Sequence, residues 1–126
     1  MTLTTLILLV LALYMVQLFL QETSRFGLDV RGILGTRDHL PEMSVMAGRL
    51  DRAKNNMQEA LPFFLGLALL AMTKGQDTGP VAQGALVFLV ARVVYVPAYA
   101  SGIPMLRSLA WLAGVAGLAM MAFALI

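Results

Sequence analysis

The sequence predicts an all-α membrane protein, a bundle of four transmembrane helices. Composition is the first reason. Of 126 residues, 60% are hydrophobic and only 13% are charged, whereas a soluble domain holds about 45–50% apolar and about a quarter charged residues. Mean hydropathy, the second, is +0.82. The third is segmentation: four apolar stretches recur, and three of them approach the ~20 residues that a helix needs to cross the hydrocarbon core. The expected helices cover about 2–22, 44–73, 80–101 and 104–126, within one membrane domain.

The first stretch runs from Leu3 to about Leu20, interrupted only by Thr4, Thr5, Tyr14 and Gln17. A cleaved signal peptide is the competing reading. Its first positive charge, Arg25, follows the apolar run rather than preceding it, and no Ala-x-Ala-like site comes after. The stretch is therefore expected to remain as a helix. In the second, only Ala60 to Thr73 is purely apolar, so the helix must draw on the polar turns from Ser44 to Glu59 to cross. Pro41 ends the preceding loop, and Ser44 suits an N-cap. Gly75, Gly79 and Pro80 mark a turn, with Pro80 fit for the first position of the third helix. Ser101-Gly102-Ile103-Pro104 separates the third helix from the fourth. Pro62 and Pro97 fall inside helices, where a membrane protein tolerates them as kinks.

Charge sets an orientation. Arg25, Arg31, Arg37, Arg49, Arg52 and Lys54 lie between the first and second apolar runs, and Arg107 lies near the third connection. Only Lys74 falls at the opposite end. The positive-inside rule then places the first loop and the third connection in the cytoplasm, with both termini outside. The absence of cysteine excludes disulfides, thiolate metal sites and a cysteine nucleophile. A single histidine, His39, excludes a multi-histidine metal site within one chain, and it reads as a solvated loop residue. Nucleic acid is not an expected partner.

The second helix carries a polar stripe. At 100° per residue, Arg49, Arg52, Asn56 and Glu59 fall within an arc of about 80°. Glu59 lies roughly 10 Å deeper than Arg52 along the axis. An acid at that depth needs a cation, hydrogen-bond donors or a proton. On the third helix Arg92, Tyr95 and Tyr99 share an arc of about 60°, so Arg92 with Glu59 is an expected buried ion pair. Arg107 closes the same end. Arginines bind carboxylates through paired hydrogen bonds, Glu59 suits an ammonium, and Asn56 suits a peptide unit. A short peptide with two carboxylates and an amine fits that inventory.

Plainer readings stand beside this one. Arg25, Arg31, Arg37 and Lys54 suit membrane-surface anchors. Tyr95 and Tyr99 also suit an interfacial aromatic belt, and a Glu59–Arg92 pair could merely fix helix register. Met43, Met46, Met57, Met105, Met120 and Met121 read as packing.

The run from Arg49 to Phe64, with Arg52-Ala53, Asn56 and Glu59, resembles the signature of the MAPEG superfamily, the membrane-associated proteins in eicosanoid and glutathione metabolism. The run Ala91 to Tyr99, followed by Arg107, resembles that family's third-helix motif and the start of its fourth helix. The resemblance spans essentially the whole chain. Leu34-Gly35-Thr36-Arg37-Asp38 and Gly102 to Ser108 look most like short bacterial members, which implies a bacterial inner membrane. Ala60 follows Glu59 where some members carry Tyr.

The resemblance implies a homotrimer that binds glutathione as co-substrate between subunits near the cytoplasmic face. Arg52, Asn56 and Glu59 would hold the tripeptide, with Arg31, Arg49 and Arg92 as further candidates. Tyr95 and Tyr99 would complete the wall from the neighbouring subunit, and Arg107 would stabilise the thiolate. Small residues at Ala113, Gly114, Gly117 and Ala119 would let helices approach closely. The implied activity is that of a microsomal-type glutathione transferase or peroxidase acting on lipophilic electrophiles. A non-catalytic glutathione- or lipid-binding scaffold is the alternative. A small multidrug transporter predicts an acid within the first helix, which has none before Glu22, and a holin-like pore predicts no Arg-Asn-Glu stripe.

Overall fold

A computed structural model describes residues 1–26, 34–35 and 44–126, with only the backbone of Arg25 and Phe26. Arg31, Arg37, His39, Pro41 and Met43 lie outside the described residues. The described chain forms four helices: α1 (Leu3–Phe26), α2 (Val45–Thr73), α3 (Pro80–Ala100) and α4 (Pro104–Ala124). Among the described residues there is no strand. Three of the four, α1, α3 and α4, are long and apolar enough to cross a membrane. The charged first turns of α2 keep it from that class on composition, as its sequence requires.

Local chemistry sets the boundaries. The Thr2 hydroxyl accepts from the Thr5 amide at 3.2 Å and caps α1. The Ser44 hydroxyl accepts from the Ala47 amide at 3.1 Å and caps α2, which satisfies one of the orphan donors at a helix start. Pro80 and Pro104 each open a helix, where a missing N–H costs nothing. One boundary differs from expectation. Helix α1 continues past residue 22 to Phe26, because Glu22, Thr23 and Ser24 add a polar turn that can sit at the membrane surface.

Packing is tightest between α3 and α4. A Cβ on Gly84 would stand 2.8 Å from the Gly117 carbonyl oxygen, and one on Gly117 only 2.6 Å from the Phe88 amide nitrogen. The two backbones therefore touch, as small residues permit in a membrane. Gly117, read in the sequence as a surface for helix approach, serves an approach within the chain. The core continues through Phe64 and Phe88, stacked with ring centroids 4.9 Å apart, and through Leu6, Val10 and Met121. Met57 and Met121 pack as expected, but Met46, Met105 and Met120 are exposed. They join Leu8, Phe19, Phe63 and Phe123 among the exposed large apolar side chains, which a membrane-spanning chain can leave without a protein partner.

The helices alternate in direction, which gathers the charged turns at one end. The start of α2, the end of α3 and the start of α4 meet there. At the other end the Lys74 ammonium donates to the Leu125 carbonyl at 2.7 Å and ties the α2–α3 turn to the end of α4.

Candidate functional site

The polar stripe of α2 faces a cavity of about 450 Å³ at the charged end, lined by Arg52, Asn55, Asn56, Glu59, Tyr95, Tyr99, Arg107, Ser108 and Trp111. Helical periodicity accounts for the wall from α2. Tyr95 and Tyr99, one turn apart, supply the wall from α3, and Arg107, Ser108 and Trp111 supply that from α4. The two tyrosines belong to the same chain as Arg52, Asn56 and Glu59. Within this one chain, antiparallel packing of α2 and α3 brings both tyrosines opposite the stripe.

Tyr99 organises the arginines. Its hydroxyl accepts from Arg52 Nε at 3.1 Å. The Arg107 guanidinium carbon lies 5.1 Å from its ring centroid, and that of Arg52 lies 5.8 Å away, within the range of cation–π attraction. The Tyr95 and Tyr99 rings meet edge to face at 5.6 Å. None of Arg49, Arg52, Arg92 and Arg107 forms an ion pair with a carboxylate among the described residues, where Lys54 pairs with Asp51 at 3.3 Å. Among the described residues, the two guanidinium groups of the wall have no acidic partner and the exposed Glu59 carboxylate has no cationic one.

Arg92 lies elsewhere than expected. Its side chain is 2% exposed and does not line the cavity. Its guanidinium carbon rests 4.1 Å from the Tyr95 ring centroid, and Nη1 donates to Asn56 Oδ1 at 2.8 Å. The expected Arg92–Glu59 ion pair is not formed. Arg92 meets α2 at the level of Asn56, about 4.5 Å along the axis before Glu59, and Glu59 points into the open cavity.

Arg49 also turns away. Nη1 donates to the Ala100 carbonyl at 3.0 Å, at the unsatisfied end of α3. Its guanidinium lies against Gly102, whose φ is +75°. A Cβ there would stand 2.5 Å from Nη2. Arg49 shares with Arg52 and Arg107 a smaller cavity of about 140 Å³ beneath the α3–α4 turn. Arg31 lies outside the described residues.

Three lining residues escape the sequence reading: Asn55, Ser108 and Trp111. The signal for Trp111 was present, because it follows Arg107 by four positions and so shares its face of α4. It is the single tryptophan of the chain and stands half exposed, one turn further along α4 than Arg107. Among the described residues no cluster of His, Cys, Asp and Glu could hold a metal ion.

In chemical terms the cavity offers cationic donors, two amides, one carboxylate, one hydroxyl and two phenols at the charged end of the bundle, with an indole at its edge. Against known proteins, a family model described as the MAPEG family matches residues 1–126. No curated protein matches the chain.

Proposed function

The chain belongs to the MAPEG family, whose helical membrane proteins include glutathione-dependent transferases and non-catalytic members, and we propose that this one is a glutathione-dependent transferase or peroxidase acting on lipophilic electrophiles. The observation that carries the proposal is Arg107, with no acid partner among the described residues, in one cavity with Arg52, Asn56 and Glu59. Glutathione brings two carboxylates, an ammonium, two amide units and a thiol. Arg52 binds a carboxylate, Glu59 the ammonium, and Asn56 an oxygen of the peptide. Tyr95 and Tyr99 form the wall behind them.

The thiolate is the reactive form of a thiol. A guanidinium within hydrogen-bonding distance stabilises the anion and shifts the equilibrium toward it. Arg107 fills that role. With a chloronitrobenzene the sulfur bonds to the ring carbon, chloride leaves with its electron pair, and the thiol proton passes to water. With a lipid hydroperoxide two glutathione molecules are oxidised to the disulfide while the peroxide is reduced to an alcohol and water. The electrophile reaches the sulfur from the bilayer, past Trp111. In the same reading the protein is a homotrimer in a bacterial inner membrane, with the charged end toward the cytoplasm.

Arg107→Ala tests the assignment. Addition of glutathione to the wild type should raise ultraviolet thiolate absorbance, and the variant should lack that rise and lose about 100-fold in conjugation rate, the loss typical when one anion-stabilising donor is removed. An unchanged thiolate signal overturns the role of Arg107. Thermal stabilisation by glutathione without turnover by the wild type selects the non-catalytic binding reading instead.

A further inference from the structure

We infer that Arg92 is a positioning residue that makes Asn56 an obligate donor toward the cavity, so that the site accepts a ligand carrying a carbonyl or carboxylate oxygen at that point. The inference rests on the glutathione reading only for the choice of probe.

The chemistry of the two side chains fixes the orientation. A guanidinium carries donors and no acceptor. The atom of Asn56 that lies 2.8 Å from Arg92 Nη1 must therefore be the amide oxygen. The amide nitrogen remains, and it forms no hydrogen bond among the described residues. Asn56 is half-buried and lines the larger cavity, so its NH2 group is the face presented to a ligand.

Arg92 cannot easily release this hold. Its side chain is 2% exposed. The guanidinium rests on the Tyr95 ring, and the aliphatic stem passes Gly114, where a Cβ would lie 3.6 Å from Cδ. Nε and Nη2 are buried without a partner, which leaves the Asn56 oxygen as the one side-chain acceptor for this cation among the described residues. Rotating the amide by half a turn would set donor against donor away from water, an arrangement with no compensating bond. An asparagine alone can present either edge, and Arg92 removes that freedom. The site then discriminates against a ligand that offers an N–H at this position.

Two substitutions and two measurements test this. Asn56→Asp keeps an acceptor for Arg92 but offers the cavity an acceptor in place of a donor. Asn56→Leu removes both. Without ligand, Asn56→Asp should melt at or above the wild-type temperature, and Asn56→Leu should melt lower because Arg92 loses its acceptor. With glutathione as probe, Asn56→Asp should bind at least tenfold more weakly although its fold is intact. Equal ligand-free stability of the two variants overturns the Arg92 contact, and wild-type affinity in Asn56→Asp overturns the donor assignment. A wild type that glutathione does not stabilise overturns the functional reading, and the ligand-free comparison then decides the Arg92–Asn56 contact alone.

Discussion

Arg49 and Arg52 stand one turn apart on α2, yet the fold gives them different work. The helical period puts both on the face that carries Asn56 and Glu59, and that much is legible in the sequence. The partner that separates them is not legible, because it lies 51 positions further on: Arg49 donates to Ala100, whereas Arg52 meets Tyr99 beside the cavity. A helical arc reports which residues face one way, but it says nothing of which neighbour stands at each height. The same blindness explains the missing Arg92–Glu59 pair, where a shift of three residues in contact level replaces a carboxylate with an amide. Gly102 offers a test of the Arg49 contact. Its positive φ disfavours any side chain, and a Cβ would strike the guanidinium. Gly102→Ala should cost about 1–2 kcal/mol from the backbone alone, read as a lower unfolding midpoint in detergent. A wild-type midpoint would show that the turn adapts.

At the level of the helix, boundaries were readable wherever one residue type decides a terminus. Ser44 caps, Pro80 and Pro104 open, and Gly79 and Gly102 turn with positive φ. The far end of α1 was less readable, because no glycine or proline stops it before Phe26 and the polar turn can remain helical at a membrane surface. Helix pairing was hidden for a different reason: glycines at 114 and 117 mark a close approach without naming the partner. The structure spends Gly117 on contact with Gly84 and Phe88, and Gly114 on room for the stem of Arg92. Gly117→Val should therefore force α3 from α4, with a cost of about 1–3 kcal/mol for overpacking. Glutathione-induced stabilisation should weaken as well, since α3 carries Tyr95 and Tyr99 while α4 carries Arg107. Unfolding of purified Gly117→Val beside wild type checks both effects, and a variant equal to wild type in both would exclude the backbone contact.

For the whole molecule, orientation decides which compartment supplies the cavity. Arg49, Arg52 and Arg107 crowd the end where the cavity opens, and Lys74 sits at the other end against Leu125. Moving the basic end across the bilayer during insertion would carry several cations through hydrocarbon, so the positive-inside bias favours its retention in the cytoplasm. The chain contains no cysteine, which makes a single introduced thiol an unambiguous reporter. Thr78→Cys marks the exposed α2–α3 turn, and Ser101→Cys marks the exposed α3–α4 turn. An impermeant maleimide should label Ser101→Cys in inside-out membrane vesicles and Thr78→Cys in right-side-out vesicles. The reverse pattern would turn the cavity toward the outside and remove a cytoplasmic source of glutathione from the proposal. Labelling of both positions from one side would contradict the crossing of the bilayer by α3 itself, whose two ends these turns bracket.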